Sequence, residues 1–125
     1  MRWMFMIINL HHVQITIPKN EEEKAREFYC DLLGLPEIEK PDSLKHRGGF
    51  WLQVGTQEVH VGTEDGVERD KTKAHIAYQV DDINYWKERL TENNIEIIES
   101  IPIPNFHRFE FRDPFGNRIE MIQQI

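Results

Sequence analysis

At 125 residues, 39% of them hydrophobic and 30% charged, the chain can bury the core of one domain but is too short for separate catalytic and regulatory domains. Its formal charge of -7 and pI near 5.3 argue against a nucleic-acid or anionic-membrane partner, because phosphate binding favours a concentrated basic face. No run reaches the roughly 18 apolar residues of a membrane span, and Cys30, the single cysteine, excludes an intrachain disulfide and points to a reducing, cytoplasmic setting.

The opening Met1 to Leu10 is apolar with one basic residue and no small-residue cleavage site, so it reads as an edge strand or lead-in. From His12 the alternation His-Val-Gln-Ile-Thr-Ile puts Val13, Ile15 and Ile17 on one face of a strand and His12, Gln14 and Thr16 on the other. After Pro18, Asn20 reads as a helix N-cap, and Glu21 to Glu23 suit the positive helix N-terminus. Ala25, Phe28, Tyr29, Leu32 and Leu33 follow helical spacing until Gly34 ends it, and Cys30 in that helix reads as a small, partly buried filler. A turn-rich stretch leads to a strand over Phe50 to Val54, the turn Gly55-Thr56, and a strand over Glu58 to Val61.

The second half repeats the order. His75 to Val80 alternates with Ile76, Tyr78 and Val80 on the apolar face, and Asp81 or Asp82 caps a helix carrying Ile83, Trp86 and Leu90, which Asn93-Asn94 ends. Strands are expected over Ile95 to Ile98, Phe109 to Phe111 and, after the turn Asp113-Pro114-Phe115-Gly116, Asn117 to Ile122. His12 precedes His75 by 63 residues and His60 precedes Glu120 by 60, so an internal repeat is the economical reading. The polar, glycine-containing segment Gly62 to Lys73 reads as the linker between halves.

If each helix covers the apolar face of its sheet, the other face carries His12, Gln14, His60, His75, Gln79, Arg108, Glu110, Arg118 and Glu120. One face of an antiparallel sheet is often merely solvated. Here, three of six histidines fall on the first or last strand of a half in the same register, beside a glutamate at the remaining equivalent position. Three imidazoles and a carboxylate suit one borderline divalent ion such as Zn, Ni, Co, Mn or Fe(II). By parity His11 falls off this face and His46 lies in a basic turn; His107 precedes its strand on the parity of Phe109 and Phe111. Arg108 is the candidate for an anionic substrate group, with Gln14 a further substrate-facing side chain. Glu110 has the right parity, with simple solvation its expected role.

The segments HHVQITIP at His11 to Pro18, FYCDLLGLP at Phe28 to Pro36, EVHVG at Glu58 to Gly62, HIAYQVDD at His75 to Asp82 and DPFGNRIEMI at Asp113 to Ile122 resemble the vicinal oxygen chelate superfamily of glyoxalases, bleomycin and fosfomycin resistance proteins and ring-cleaving dioxygenases. The resemblance implies an α+β fold: one domain over 1–125, built from two βαβββ modules at about 9–62 and 74–125. These would form an open, cup-shaped mixed sheet with helices on its outer face. It implies one divalent metal held by His12, His60, His75 and Glu120, a small-molecule substrate chelated through vicinal oxygens, Glu120 as the acid-base residue of a lyase or isomerase, and a homodimer. Alternatives within the resemblance are a drug-binding or antibiotic-resistance protein and a ring-cleaving dioxygenase. The chain departs from glyoxalase I at His60, where a glutamate is expected, leaving one carboxylate among the four central positions.

Overall fold

The computed structural model describes residues 4–125, which divide into two compact units, Met1–Asp65 and Gly66–Ile125. Each holds one four-stranded mixed sheet, and the fold is α+β. Residues 4–11 form no strand, so the opening segment is a lead-in; its first three residues lie outside the described ones.

In the first unit, β1 (His12–Ile17) is followed by α1 (Glu22–Arg26), which continues as a π-helical turn over Glu27–Leu32. Asn20 is not the N-cap: it takes the left-handed conformation at φ 68°, and Glu21 occupies the cap without a side-chain hydrogen bond. Asn tolerates that conformation better than other non-glycine residues, so it turns the chain into the helix instead of capping it. Gly34, at φ 75°, ends the helix as expected, with Leu35 N–H donating to the Tyr29 carbonyl. The strands β2 (Glu37–Ile38), β3 (Phe50–Val54) and β4 (Gln57–Thr63) complete a sheet of order β1-β4-β3-β2, with β1 parallel to β4. Alternation places Ile17, Phe50, Leu52, Val59 and Val61 on the buried face, against Ala25, Phe28, Tyr29 and Leu33 from the helix.

The second unit repeats this arrangement with β5 (His75–Gln79), α2 (Ile83–Glu92), β6 (Ile98–Glu99), β7 (Phe106–Arg112) and β8 (Arg118–Gln124), in the order β5-β8-β7-β6. Asp82 caps α2 by accepting from Tyr85 N–H at 3.1 Å. Tyr78, Phe109, Phe111, Ile119 and Met121 bury one sheet face, with Ile83 and Leu90 of α2 also buried. The expected strand over Ile95 to Ile98 reduces to Ile98–Glu99, because Asn94 is left-handed at φ 63° and Ile95 N–H still bonds the Leu90 carbonyl at the helix end. The linker is shorter than expected: Gly62 and Thr63 belong to β4, and Arg69–Lys71 form a 3-10 turn with Arg69 buried.

The Asp113–Gly116 turn sets the register of β7 against β8. Asp113 Oδ1 accepts from Phe115 N–H at 2.9 Å and Asn117 N–H at 2.8 Å, and its Oδ2 accepts from the Asn117 side chain. Gly116 sits at φ 102°, and a Cβ there would lie 2.9 Å from Asp70 N, so no side chain fits without movement. Leu52, fully buried, gives a direct test of the first core: Leu52→Ala should cost about 2 to 5 kcal/mol in urea unfolding. Ile101→Ala, at a residue 81% exposed, should stay within about 0.5 kcal/mol of the native protein.

Candidate functional site

Within each unit the sheet face opposite the helix carries the polar residues, and strand pairing decides which of them meet. On β8, Glu120 lies beside Ala77 of β5 and opposite Glu110 of β7. Both glutamates are buried, at 5% exposure, and two directly opposed carboxylates repel unless countered. Arg118 supplies part of the counter-charge, its Nε donating to Glu110 Oε2 in a short contact, while Ser100 Oγ donates to Glu110 Oε1 at 3.1 Å. The Arg118 hydrogen bond holds the Glu110 carboxyl below its ordinary range, although burial acts the other way. Glu110 is therefore a buried, doubly bonded member of the site, not a solvated one.

Glu120 is held differently. His75 Nε2 lies 2.9 Å from Glu120 Oε1, and Arg108 Nη1 lies 3.5 Å from the same oxygen. His75 Nδ1 is 2.8 Å from the Lys73 carbonyl, which can only accept, so Nδ1 carries a proton and Nε2 is the nitrogen turned to the carboxylate. Arg108 is pinned by its own donations from Nε and Nη2 to the Ile101 carbonyl, at 3.0 and 2.7 Å. One ligand-type atom from each of His75, Glu110 and Glu120 lies within 4.8 Å of the others, a spacing that suits a metal ion. Of the expected residues in this unit, His75, Arg108 and Glu120 are thus brought together.

The first unit uses the same register slots with other chemistry. His60 of β4 lies beside Gln14 of β1 and opposite Trp51 of β3. Its ring is sandwiched: Trp51 stacks at 3.8 Å between centroids and 5° between planes, and His12 stacks on it at 4.0 Å and 11°. Glu58, two residues earlier on the same face, places Oε1 2.9 Å from His60 Nε2. That hydrogen bond holds the Glu58 carboxyl below its usual range. His12 Nδ1 contacts His11 Nδ1 at 3.0 Å. The stack borders a recess of about 590 Å³ whose walls include Gln14, Lys40 and Arg47. The Gln14 amide crosses over Gly62, where a Cβ would lie 2.8 Å from its Nε2.

Trp51 and Glu58 are the site residues that sequence reasoning missed. Parity offered a signal for both, since Glu58 is two residues from His60 and Trp51 alternates with buried Phe50 and Leu52. His46 and His107 are exposed.

Comparison with known proteins agrees with the sheet pairing. The family model described as Glyoxalase/Bleomycin resistance protein/Dioxygenase superfamily matches residues 9–121. A crystal structure described as of the glyoxalase family, from Bacillus anthracis, is 41% identical, with 97% of this chain and 98% of that one covered at a TM-score of 0.89. The fosfomycin resistance protein FosX from Listeria monocytogenes, solved with Mn(II) and sulfate, shares the fold at 17% identity, 96% and 93% coverage and a TM-score of 0.76. Lactoylglutathione lyase from Agrobacterium tumefaciens shares it at 20% identity, 92% coverage of each chain and a TM-score of 0.70. By the extent of the family match and the 41% identity over nearly its whole length, the chain belongs to the Glyoxalase/Bleomycin resistance protein/Dioxygenase superfamily.

Proposed function

We propose that this protein is a metal-dependent, glyoxalase-like enzyme that acts on a small molecule presenting two vicinal oxygens, by lyase or isomerase chemistry. One observation carries the reading: His75 gives its Nδ1 proton to the Lys73 carbonyl and turns Nε2 onto the buried carboxylate of Glu120. A nitrogen lone pair and a carboxylate oxygen 2.9 Å apart need a bridge, either a proton or a metal ion drawn in between them. The donor set fits a borderline divalent ion of the Zn, Ni, Co, Mn or Fe kind, having imidazole and carboxylate but no thiolate. FosX, of the same fold, was solved with Mn(II).

The proposed ligands are His75 and Glu120 of the second unit, with His12 and His60, their counterparts in strand register, from the first unit of the same chain or of a second copy. Glu110 is already committed to Arg118 and Ser100 and is not among the proposed ligands. When bound, the metal would supply Lewis-acid polarisation of the substrate's oxygens. Glu120 is the proposed base: its carboxylate takes a proton from the carbon beside the substrate carbonyl and returns it to the neighbouring carbon. Arg108, its Nε and Nη2 fixed by the Ile101 carbonyl, holds an anionic substrate group, and Gln14 offers its amide at the wall of the recess.

A fosfomycin-type resistance protein is the second reading. It is favoured by Arg47, whose guanidinium makes no ion pair among the described residues and which lines the recess with Lys40, a setting for a phosphonate. Assay against 2-oxoaldehyde adducts, epoxides and catechols separates these readings.

His75→Ala and His12→Ala should each weaken metal binding by about 10-fold or more, read by metal analysis of protein purified without chelators, with circular dichroism unchanged; full stoichiometry in both would remove the proposed site. Glu120→Gln should keep part of the metal but lose exchange of the substrate proton into deuterated water, and exchange at the native rate would show that Glu120 is not the base. We further propose a homodimer, since the polar segment between the units leaves each half free to pair within its chain or with a second copy. Sedimentation at micromolar concentration should then give twice the 15.0 kDa of one chain, whereas the mass of a single chain would exclude it.

A further inference from the structure

A histidine can present either ring nitrogen, and the partner of one nitrogen decides which is left. His75 donates from Nδ1 to a backbone carbonyl and leaves Nε2. His60 is held the other way round. The Glu58 side chain places Oε1 2.9 Å from His60 Nε2, and a carboxylate oxygen only accepts. The proton in the 2.9 Å contact therefore sits on His60 Nε2.

The ring has little freedom to escape this arrangement. It is 6% exposed, lies nearly parallel to Trp51 on one side at 5°, and to His12 on the other at 11°. Turning the ring over within the stack would exchange Nε2 for Cε1 and break the contact with Glu58. No buried side-chain nitrogen or oxygen among the described residues lacks a partner, and His60 lines the recess, so its unbonded Nδ1 is the nitrogen open to that space.

We propose that Glu58 is a positioning residue that fixes His60 as the Nε2–H tautomer, so that His60 presents Nδ1, where His75 presents Nε2, to whatever binds at this face. The consequence for metal binding rests on the function proposed above; the tautomer does not. Glu58 then acts as an outer partner: it orients the ring, raises the basicity of the other nitrogen and accounts for a carboxylate two residues before His60 on the same face. Trp51 supplies the flat surface that keeps the ring in plane.

The test uses the full-length, 15N-labelled protein without metal, with two-bond 1H–15N correlation spectra to assign the tautomer of each histidine, followed by Zn(II) titration against a competing chelator. The expected result is an Nε2–H tautomer for His60, with His75 carrying a proton on Nδ1. In Glu58→Ala, the His60 signals should move toward a tautomer mixture while those of His75 stay, and Zn(II) affinity should fall by roughly 10- to 100-fold. Glu58→Gln keeps a side-chain oxygen that accepts from Nε2–H, so it should restore the tautomer and most of the affinity; this also shows that the loss in the alanine variant is not a failure to fold. An Nδ1–H tautomer at His60 in the native protein, or an unchanged His60 tautomer in Glu58→Ala, overturns the proposal. If the native protein binds no Zn(II), the metal reading falls, and the tautomer shift alone decides the role of Glu58.

Discussion

The opposition of Glu110 and Glu120 on neighbouring strands is the constraint around which the second unit is arranged. Two carboxylates in register, each 5% exposed, would destabilise the sheet if left facing one another. The neighbouring side chains answer that problem. Arg118 and Ser100 satisfy Glu110, Arg108 lies against Glu120, and His75 reaches it from the adjoining parallel strand. The same demand reaches outward, because the Arg108 guanidinium also ties down the Ile101 carbonyl in the connector after β6. Arg118 and Ser100 each occupy one oxygen of Glu110, whereas His75 and Arg108 both approach a single oxygen of Glu120.

The two units repeat a backbone but not its chemistry. Strand pairing makes His60 the counterpart of Glu120, Trp51 the counterpart of Glu110, and Glu58 the counterpart of Arg118. The slot that holds two opposed carboxylates in one half therefore holds a stacked aromatic pair in the other. Both solutions meet one requirement: a polar side chain buried on a sheet face must have its hydrogen bonds made. Glu58 does for His60 what Arg108 and His75 do for Glu120. The repeat preserves placement and leaves the partners free to diverge.

Most of the architecture was legible in the sequence because period-two alternation and turn chemistry are local signals. The strand Phe50–Val54, the Asp82 cap, the stop at Gly34 and the Asp113–Gly116 turn all follow from residues within a few positions of each other. Asn20 misled because the preferences that make Asn a good cap also make it a good left-handed turn residue. The solvated reading of Glu110 failed for a different reason. Parity tells which face a side chain takes but not its lateral partner, and Arg118 bonds Glu110 diagonally across the β7–β8 pair instead of the residue directly opposite it. Trp51 was missed on the same ground, since its partner His60 is nine residues away across the β3–β4 hairpin.

Register also explains why residues far from the candidate site control it. A slip of one residue between β7 and β8 would send Glu120 to the apolar face and bring Ile119 or Met121 onto the polar one. The device that prevents it is the turn, where Asp113 takes three hydrogen bonds and Gly116 adopts a conformation that other residues resist, packed so close to Asp70 that a side chain has no room. Side chains carried on strands gain the rigidity of the sheet, and with it the sub-ångström placement that a metal centre requires. That rigidity is partly inherited from the hairpin: the aspartate and glycine that never touch the site hold Glu120 in register with Glu110, and the parallel pairing of β5 with β8 brings His75 within 2.9 Å of it.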